Sequence, residues 1–290
     1  MRKYFLPIVI LLMTVSCINT ENKKESTITV TIEPLRYFTE IIAGDKFKVI
    51  SMVPEGSNPE TYDPTPQQLV SLNKSTAYLR IGYIGFEQSW IKKLQENTPG
   101  LPFYDTSDGI DLIHQTCSHS HAHGDNAHSH GVEPHIWNSP KNAAIIARNI
   151  YSALSEIDET NSEYYKNRLD SLITIINNVD EKIKSIIPEA DKTFLIYHPA
   201  LTYFARDYGL EQISIEEGGK EPSPAHLQSL IKMCKEKGAK IIFVQQEFDK
   251  RNAEIIAQEL NVEVIPINPL NYNWPEEMIN TAIALCHGEN

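Results

Sequence analysis

Hydrophobic and polar positions along the chain switch repeatedly between the alternation typical of strands and the spacing typical of helices. In the first half, strand patterns cover residues 26–32, 46–53, 77–81 and 103–105. Helical patterns lie between them at residues 34–42, 66–74 and 86–97. Strands that alternate with helices are typical of parallel α/β layering, so residues 27–158 are predicted to form an N-terminal α/β lobe.

The middle of the chain carries two consecutive helical patterns, at residues 140–157 and 161–187. The second places a broad apolar face at helical spacing, made of Leu169, Leu172, Ile173, Ile176, Val179, Ile183 and Ile186. About 27 helical residues would measure ~40 Å at 1.5 Å per residue. Residues 159–188 are therefore predicted to form a long linking helix.

The remaining residues return to the alternation of strands and helices. Strand patterns cover residues 192–197, 211–215, 239–244 and 262–267, and helical patterns cover 201–207, 224–237, 250–260 and 275–286. Residues 189–290 are thus predicted to form a C-terminal α/β lobe. The fold class expected from the pattern is α/β, with two parallel-sheet lobes joined by a long helix.

The first 26 residues carry a different pattern. A basic start, Met1–Lys3, precedes a dozen mostly apolar residues and then Cys17. This layout is typical of a bacterial lipoprotein signal, with residues 1–16 removed and Cys17 acylated; an ordinary secretory signal with a nearby cysteine is the alternative. Residues 17–26 are polar and predict a flexible tether. The protein is therefore expected in the periplasm or at the cell surface, held to a membrane by lipid only.

Composition narrows the partners. The 290 residues include 38 acidic and 26 basic side chains, for a formal net charge of −12. Nucleic-acid binding needs a basic face, so nucleic acid is excluded as a partner. Hydrophobic residues make up 41% of the chain, which is ordinary for a globular protein.

Two cysteines remain after Cys17 and the loop residue Cys117. Export makes a disulfide chemically permissible, and a bridge between Cys234 and Cys286 would fit the count. Two unpaired thiols are the alternative.

Histidines are concentrated in one segment. Seven of the ten lie between His114 and His135. Residues 114–131 are a low-complexity, His-rich insert, in which the closely spaced residues are His119, His121, His123, His128 and His130. Neutral imidazole binds Zn, Cu and Ni well, so these side chains are predicted to make auxiliary, loosely defined metal contacts.

Three further residues lie at loop or strand ends. Glu60 lies in a loop rich in Pro and Gly after the second strand, His135 precedes a helix that begins with Pro140, and His198 follows a strand. In open α/β sheets, ligands lie beyond the carboxyl ends of the strands. These residues are therefore candidate ligands of one metal ion.

Five blocks carry a specific resemblance: SMVPEGSNPETYDPTPQQL, EPHIWNSPKNA, YHPALTYFARDYGL, EEGGKEPSPAHLQSLI and INPLN. In order and spacing the chain resembles the ZnuA-like solute-binding lipoproteins of metal (zinc and manganese) ABC transporters. The resemblance implies a rigid long helix, a metal cleft between the lobes, a monomer, and a membrane permease as partner. It implies ligands at His135 and His198; Glu60 stands where the family usually has His, and Asn268 where it often has a carboxylate.

The donor set bears on the metal. One carboxylate and two imidazoles suit tetrahedral Zn²⁺, with a water molecule or the Asn268 amide as fourth partner, whereas Mn²⁺ prefers more oxygen. The His-rich insert favours zinc, so the expected function is extracytoplasmic zinc capture for an ABC importer, with no enzymatic activity. The alternatives are a manganese or iron binder of the same family, copper or nickel at the site, a metal-dependent hydrolase, which would show a motif such as HExxH, and an adhesin.

Overall fold

A computed structural model describes residues 26–114, 131–217 and 219–286. The predicted signal peptide, Cys17 and the tether up to residue 25 lie outside the described residues. So do the five insert histidines, His119, His121, His123, His128 and His130.

The first lobe is built on a parallel sheet. Its strands are β1 (Thr27–Val30), β2 (Lys48–Ser51), β3 (Ala77–Arg80) and β4 (Phe103–Asp105), and its helices are α1 (Glu33–Ala43), α2 (Pro66–Leu72) and α3 (Gly85–Asn97). The strand order is β2-β1-β3-β4, and every pair is parallel. Thr65 and Gln68 form a capping box at the start of α2, and the Gln68 amide donates to the Met52 carbonyl at 2.7 Å. These bonds fix both ends of the loop that carries Glu60.

Two long helices follow, α4 (Pro140–Ile157) and α5 (Ser162–Ile186), with a 3₁₀ turn between them at Glu159–Asn161. The 25 residues of α5 span about 38 Å at 1.5 Å per residue. Helix α5 packs on α4 and α1 and also on α9 (Trp274–Ala284) near the end of the chain. Its buried stripe is Tyr165, Leu169, Leu172, Ile176, Val179 and Ile183. The predicted long helix is thus in contact with elements of both lobes.

The second lobe repeats the architecture of the first. Its strands are β5 (Thr193–Ile196), β6 (Glu211–Ser214), β7 (Ile241–Gln245) and β8 (Glu263–Ile267), and its other helices are α6 (Thr202–Tyr208), α7 (Pro224–Lys237) and α8 (Arg251–Leu260). The order β6-β5-β7-β8 is again parallel throughout. The predicted fold class, two parallel α/β lobes joined by a long helix, is confirmed.

One hydrophobic core runs through both lobes. It joins the first sheet, α1, α4 and α5 to one face of the second sheet, through Phe194 and Phe243, and to Trp274 of α9. A smaller core lies on the other face of the second sheet under α7 and α8. The lobes therefore share packing along α5, and the loops beyond β2, β3, β5 and β7 are left to form a site.

The disulfide that the sequence allowed is not formed. Cys234 and Cys286 are both free thiols. Cys234 is fully buried in the smaller core, whereas Cys286 packs against the larger one and donates from Sγ to the Ile186 carbonyl at 3.7 Å. The two thiols belong to different packing units, which a count of cysteines cannot reveal.

Among the helices in the described ranges, none has both the length and the apolar character required to cross a bilayer.

Candidate metal centre

Glu60 is held at the start of α3. The Gly85 backbone N–H donates to Glu60 Oε2 at 2.9 Å, and the Phe86 N–H donates to the neighbouring Pro59 carbonyl at 2.8 Å. Both donors lie in the first turn of a helix, where free N–H groups and the helix dipole favour an anion. A Cβ at Gly85 would lie 2.6 Å from both the carbonyl oxygen and Oε2 of Glu60, so only glycine permits this approach.

The second carboxylate oxygen of Glu60 has a different environment. Oε1 is buried and has no hydrogen-bond partner. Buried polar atoms are nearly always paired, and a carboxylate oxygen is a good ligand for a divalent cation. Glu60 is thus held by one oxygen and offers the other.

His135 lies in the segment that leads into α4. Its side chain is 6% exposed, and its Nδ1 lies 2.5 Å from Glu133 Oε1. The same oxygen accepts the His135 backbone N–H at 3.1 Å. Tyr203 of α6 donates its hydroxyl hydrogen to the Glu133 carbonyl at 3.0 Å, which ties this first-lobe segment to the second lobe.

His198 follows β5 and is fixed by three neighbours. Its Nδ1 lies 3.0 Å from Glu216 Oε1. The Gln245 side-chain amide donates to the His198 carbonyl at 2.5 Å and accepts the His198 N–H at 3.3 Å. The Phe248 ring stacks on the imidazole, with 5.1 Å between centroids and 15° between planes.

These contacts select the same tautomer in both histidines. Because an ionised carboxylate only accepts, the hydrogen of each neutral ring lies on Nδ1, and Nε2 keeps a free lone pair. The two Nε2 atoms are 3.1 Å apart. Two nitrogens at about 2.05 Å from a tetrahedral Zn²⁺ would be ~3.3 Å apart. The imidazoles are therefore already placed close to the spacing that a shared ion requires.

Protons compete for the same site. Burial lowers the pKa of His135, but the hydrogen bond and charge of Glu133, with the charges of Glu60 and Glu216, outweigh it and raise the pKa overall. A protonated imidazole cannot bind a metal, so binding would release a proton.

The three side chains surround one small space. Donor atoms of Glu60, His135 and His198 all lie within 4.8 Å of one another. They border a cavity of about 20 Å³, enough for a single water-sized occupant. Its other lining residues are Asn58, Pro59, Trp137, Ala200, Gln245, Glu247, Phe248, Pro269 and Leu270. A wider cleft of about 570 Å³, which Glu133 and Glu216 also line, borders the same three residues.

Asn268, the fourth residue named from the sequence, has other contacts. Its Oδ1 accepts the Leu270 N–H at 3.2 Å, and its N–H donates to Glu277 Oε1 at 2.7 Å. The structure does not place it in the group formed by Glu60, His135 and His198.

Several residues that shape the site were not predicted from the sequence. They are Glu133, Gly85, Gln245, Phe248 and Glu247. The signal for Glu133 was available, since a carboxylate two residues before a metal-binding histidine can orient its ring. The others required the neighbouring strands to be placed.

Comparison with known proteins identifies the family of this chain. The family model described as the periplasmic zinc-uptake complex component A, ZnuA, matches residues 28–282. A crystal structure of ZnuA superposes with a TM-score of 0.83 at 33% identity, covering 90% of this chain and 98% of that chain.

Two relatives differ in the metal that they are named for. The high-affinity zinc uptake system protein ZnuA of Bacillus subtilis (strain 168) is 26% identical over 255 residues, 85% of this chain and 79% of that protein. The manganese ABC transporter substrate-binding lipoprotein PsaA of Streptococcus pneumoniae serotype 4 (strain ATCC BAA-334 / TIGR4) is 28% identical over 241 residues, 78% of this chain and 74% of that protein. The resemblance carried by the five sequence blocks is confirmed, and the chain belongs to the zinc-uptake complex component A family.

Proposed function

We propose that this protein captures one Zn²⁺ ion outside the cytoplasmic membrane and delivers it to the permease of an ABC-type metal importer. The observation that carries the proposal is the convergence of Glu60, His135 and His198 donor atoms within 4.8 Å. Zinc here is the cargo. Membership in a family of uptake components supports capture and delivery over catalysis.

Each residue has a defined part in holding the ion. His135 and His198 bind through Nε2, while Glu133 and Glu216 hold their rings in place through Nδ1. Glu60 binds through Oε1, which is buried without a partner. The sequence predicts that a water molecule or the Asn268 amide completes the tetrahedral coordination.

Manganese is the second candidate. The similarity to a manganese-binding lipoprotein supports it, as does the presence of carboxylates at Glu60, Glu133 and Glu216 around the two imidazoles. Mn²⁺ favours oxygen ligands, whereas the Irving–Williams order favours zinc at a nitrogen-containing site.

The domain boundaries and the membrane attachment belong to the same proposal. We infer a signal peptide at 1–16, a lipid on Cys17, a tether at 17–26, lobes at 27–158 and 189–290, and a monomer that contacts the membrane only through its lipid. The lipoprotein name of a relative supports the anchor. Metabolic labelling with a radioactive fatty acid is expected to mark the natural chain and not Cys17→Ala.

The His-rich insert is proposed as a low-affinity collector. The bridge between His114 and Val132 brings the two ends of the insert together, and Val132 lies three residues before His135. Deleting residues 115–130 should lower zinc uptake under scarcity and leave the tight site intact. Unchanged uptake under scarcity would contradict the collector role.

Competitive titration with a chromophoric chelator tests the function directly. We expect one tight zinc equivalent, lost in His135→Ala and His198→Ala and weakened in Glu60→Ala. Manganese binding that is tighter than zinc binding would move the assignment to the second candidate. Absence of any tight metal would refute the proposal.

A further inference from the structure

Glu247 reaches the candidate site from a second strand end. Strands β5 and β7 are neighbours, with Ile196 paired to Phe243. His198 lies two residues beyond the last residue of β5, and Glu247 lies two residues beyond the last residue of β7. Gln245, two residues before it, and Phe248, the residue after it, both contact His198. Glu247 therefore lies in a turn fixed against one of the candidate ligands.

Glu247 lines the same cavity as the three candidate ligands. Its Oε1 is buried and has no hydrogen-bond partner. Among the described residues, two carboxylate oxygens share that condition, Glu60 Oε1 and Glu247 Oε1, and both residues line the 20 Å³ cavity. Buried acceptors without donors are costly, and a cation between them would remove the cost at both.

The other candidate for a fourth ligand is already engaged. Asn268 Oδ1 accepts the Leu270 N–H, and Asn268 is not among the residues that line the cavity. A tetrahedral ion held by Glu60, His135 and His198 still lacks one ligand.

Building on the proposed function, we propose that Glu247 is the fourth protein ligand of the bound ion. Its carboxylate lies outside the group whose atoms are mutually within 4.8 Å, so the Glu247 side chain has to turn toward the ion when the ion binds. The complete donor set is then two imidazole nitrogens and two carboxylate oxygens.

This donor set determines specificity. A second carboxylate contributes more to Mn²⁺, which depends on oxygen ligands, than to Zn²⁺, which is well held by imidazole. Glu247 thus gives a zinc receptor a measurable affinity for manganese. Removing its carboxylate should increase the selectivity of the protein for zinc over manganese.

The test uses the full chain with the five insert histidines changed to alanine, so that one class of site is titrated. Glu247→Gln keeps the shape and removes the charge. Its matched control is Glu236→Gln, which makes the same change on α7 at a side chain that is 66% exposed. We expect Glu247→Gln to weaken Zn²⁺ binding about tenfold and Mn²⁺ binding about 100-fold, Glu236→Gln to change neither, and Glu247→Asp to recover part of the loss.

Three outcomes would overturn the inference. They are unchanged affinities in Glu247→Gln, an equal loss for both metals, and a loss in Asn268→Ala that Glu247→Gln does not share. In each case His135→Ala should still abolish binding, so the proposed function would stand. Loss of all tight binding in the parent chain would instead refute the proposed function.

A structure of the unsubstituted chain with zinc gives a reading that does not depend on variants folding. The inference requires a Glu247 oxygen about 2.0–2.2 Å from the ion. A water molecule or Asn268 in that position would overturn it.

Discussion

The two lobes hold their histidines in different ways. His135, from the first lobe, takes its carboxylate partner from two residues earlier in the same segment, whereas Glu216, the partner of His198, lies 18 residues away. The second pair is set by sheet register: Ile196 pairs with Ser214, which places His198 and Glu216 at matching positions beyond two parallel strands.

The lobes also differ in exposure. The side chains of His135 and Glu133 are 6% and 3% exposed, and those of His198 and Glu216 are 16% and 8% exposed. In the first lobe, the candidate ligand His135 is buried and is held by a residue close to it in the sequence. In the second lobe, His198 is more exposed and is held by a residue from a neighbouring strand. One ion between them depends on both kinds of organisation.

The largest expected effect is the loss of either imidazole. His135→Ala and His198→Ala should each lower zinc affinity by more than about 100-fold, since removing even an outer-shell partner of a ligand costs 10–100-fold. They should differ in stability: His135→Ala leaves buried Glu133 without its ring partner and should cost about 1–3 kcal/mol in the free energy of unfolding, and His198→Ala should cost less. Chelator competition and urea unfolding of the metal-free variants measure the two effects, and equal stability losses would contradict the contrast.

The carboxylates that orient the rings should have the next largest effect. Glu133→Gln and Glu216→Gln are each expected to weaken zinc binding about 10–100-fold, with the greater loss for Glu133, which also accepts the His135 backbone N–H. Glu217→Gln, at the exposed neighbour of Glu216, is the matched control and should bind as the parent does. A greater loss in Glu216→Gln than in Glu133→Gln would reverse the comparison.

A change that touches only the first lobe should have an intermediate effect. Gly85→Ala forces a Cβ against Glu60 and should cost about 1–3 kcal/mol of stability, with a several-fold loss of zinc affinity. The matched control is Gly56→Ala, in the loop that carries Glu60. Gly56 has φ of +77°, and a Cβ added there would meet no atom within 4 Å. The control variant should lower stability by backbone strain alone and leave zinc affinity unchanged; a similar loss of affinity in both variants would argue against the Gly85 contact.

The smallest effect is a difference in pH dependence between the metal-free and zinc-loaded protein. The pKa of His135 is raised above 6.5 in the folded chain. Its contribution to metal-free stability is thus fully present below pH 6.5 and is lost as pH rises through the raised value.

In the zinc-loaded chain, stability depends on pH in the opposite direction, because His135 must lose its proton to bind the ion. Between about pH 6 and 8, melting temperatures should fall for the metal-free chain and rise for the zinc-loaded chain. In the metal-free His135→Ala variant the fall should be shallower. Burial also raises the pKa of Glu87, to about 7 in the folded chain. The stability that Glu87 contributes is therefore lost as the pH rises from 4.5 to about 7, in the same direction as for His135. Glu87→Gln should remove this part of the fall in melting temperature.

The sequence predicts the strands, the helices and two of the candidate ligands well. It predicts poorly which other residues surround the metal site. The apolar spacing from Leu169 to Ile183 defines α5 because a helix repeats its buried face regularly. His135 and His198 could be named because they stand at element ends, where α/β proteins bind ligands.

The remaining features depend on contacts between segments that are distant in the sequence. Gly85 approaches Glu60 across 25 residues, and Glu247 becomes relevant only once β7 is known to lie beside β5. The contact of Asn268 is the exception, because an Asn side chain often accepts the N–H two residues on. The INPLN block could have indicated that local turn.

The central feature of the proposed site is one ion shared between the two lobes. Anomalous diffraction above the zinc absorption edge, from crystals of the zinc-loaded chain, locates that ion. We expect one strong peak about 2.0–2.1 Å from Nε2 of both His135 and His198 and about 2.0–2.2 Å from a Glu60 oxygen. A peak bound to residues of one lobe only, or none in the cavity beside Trp137, would contradict the central claim.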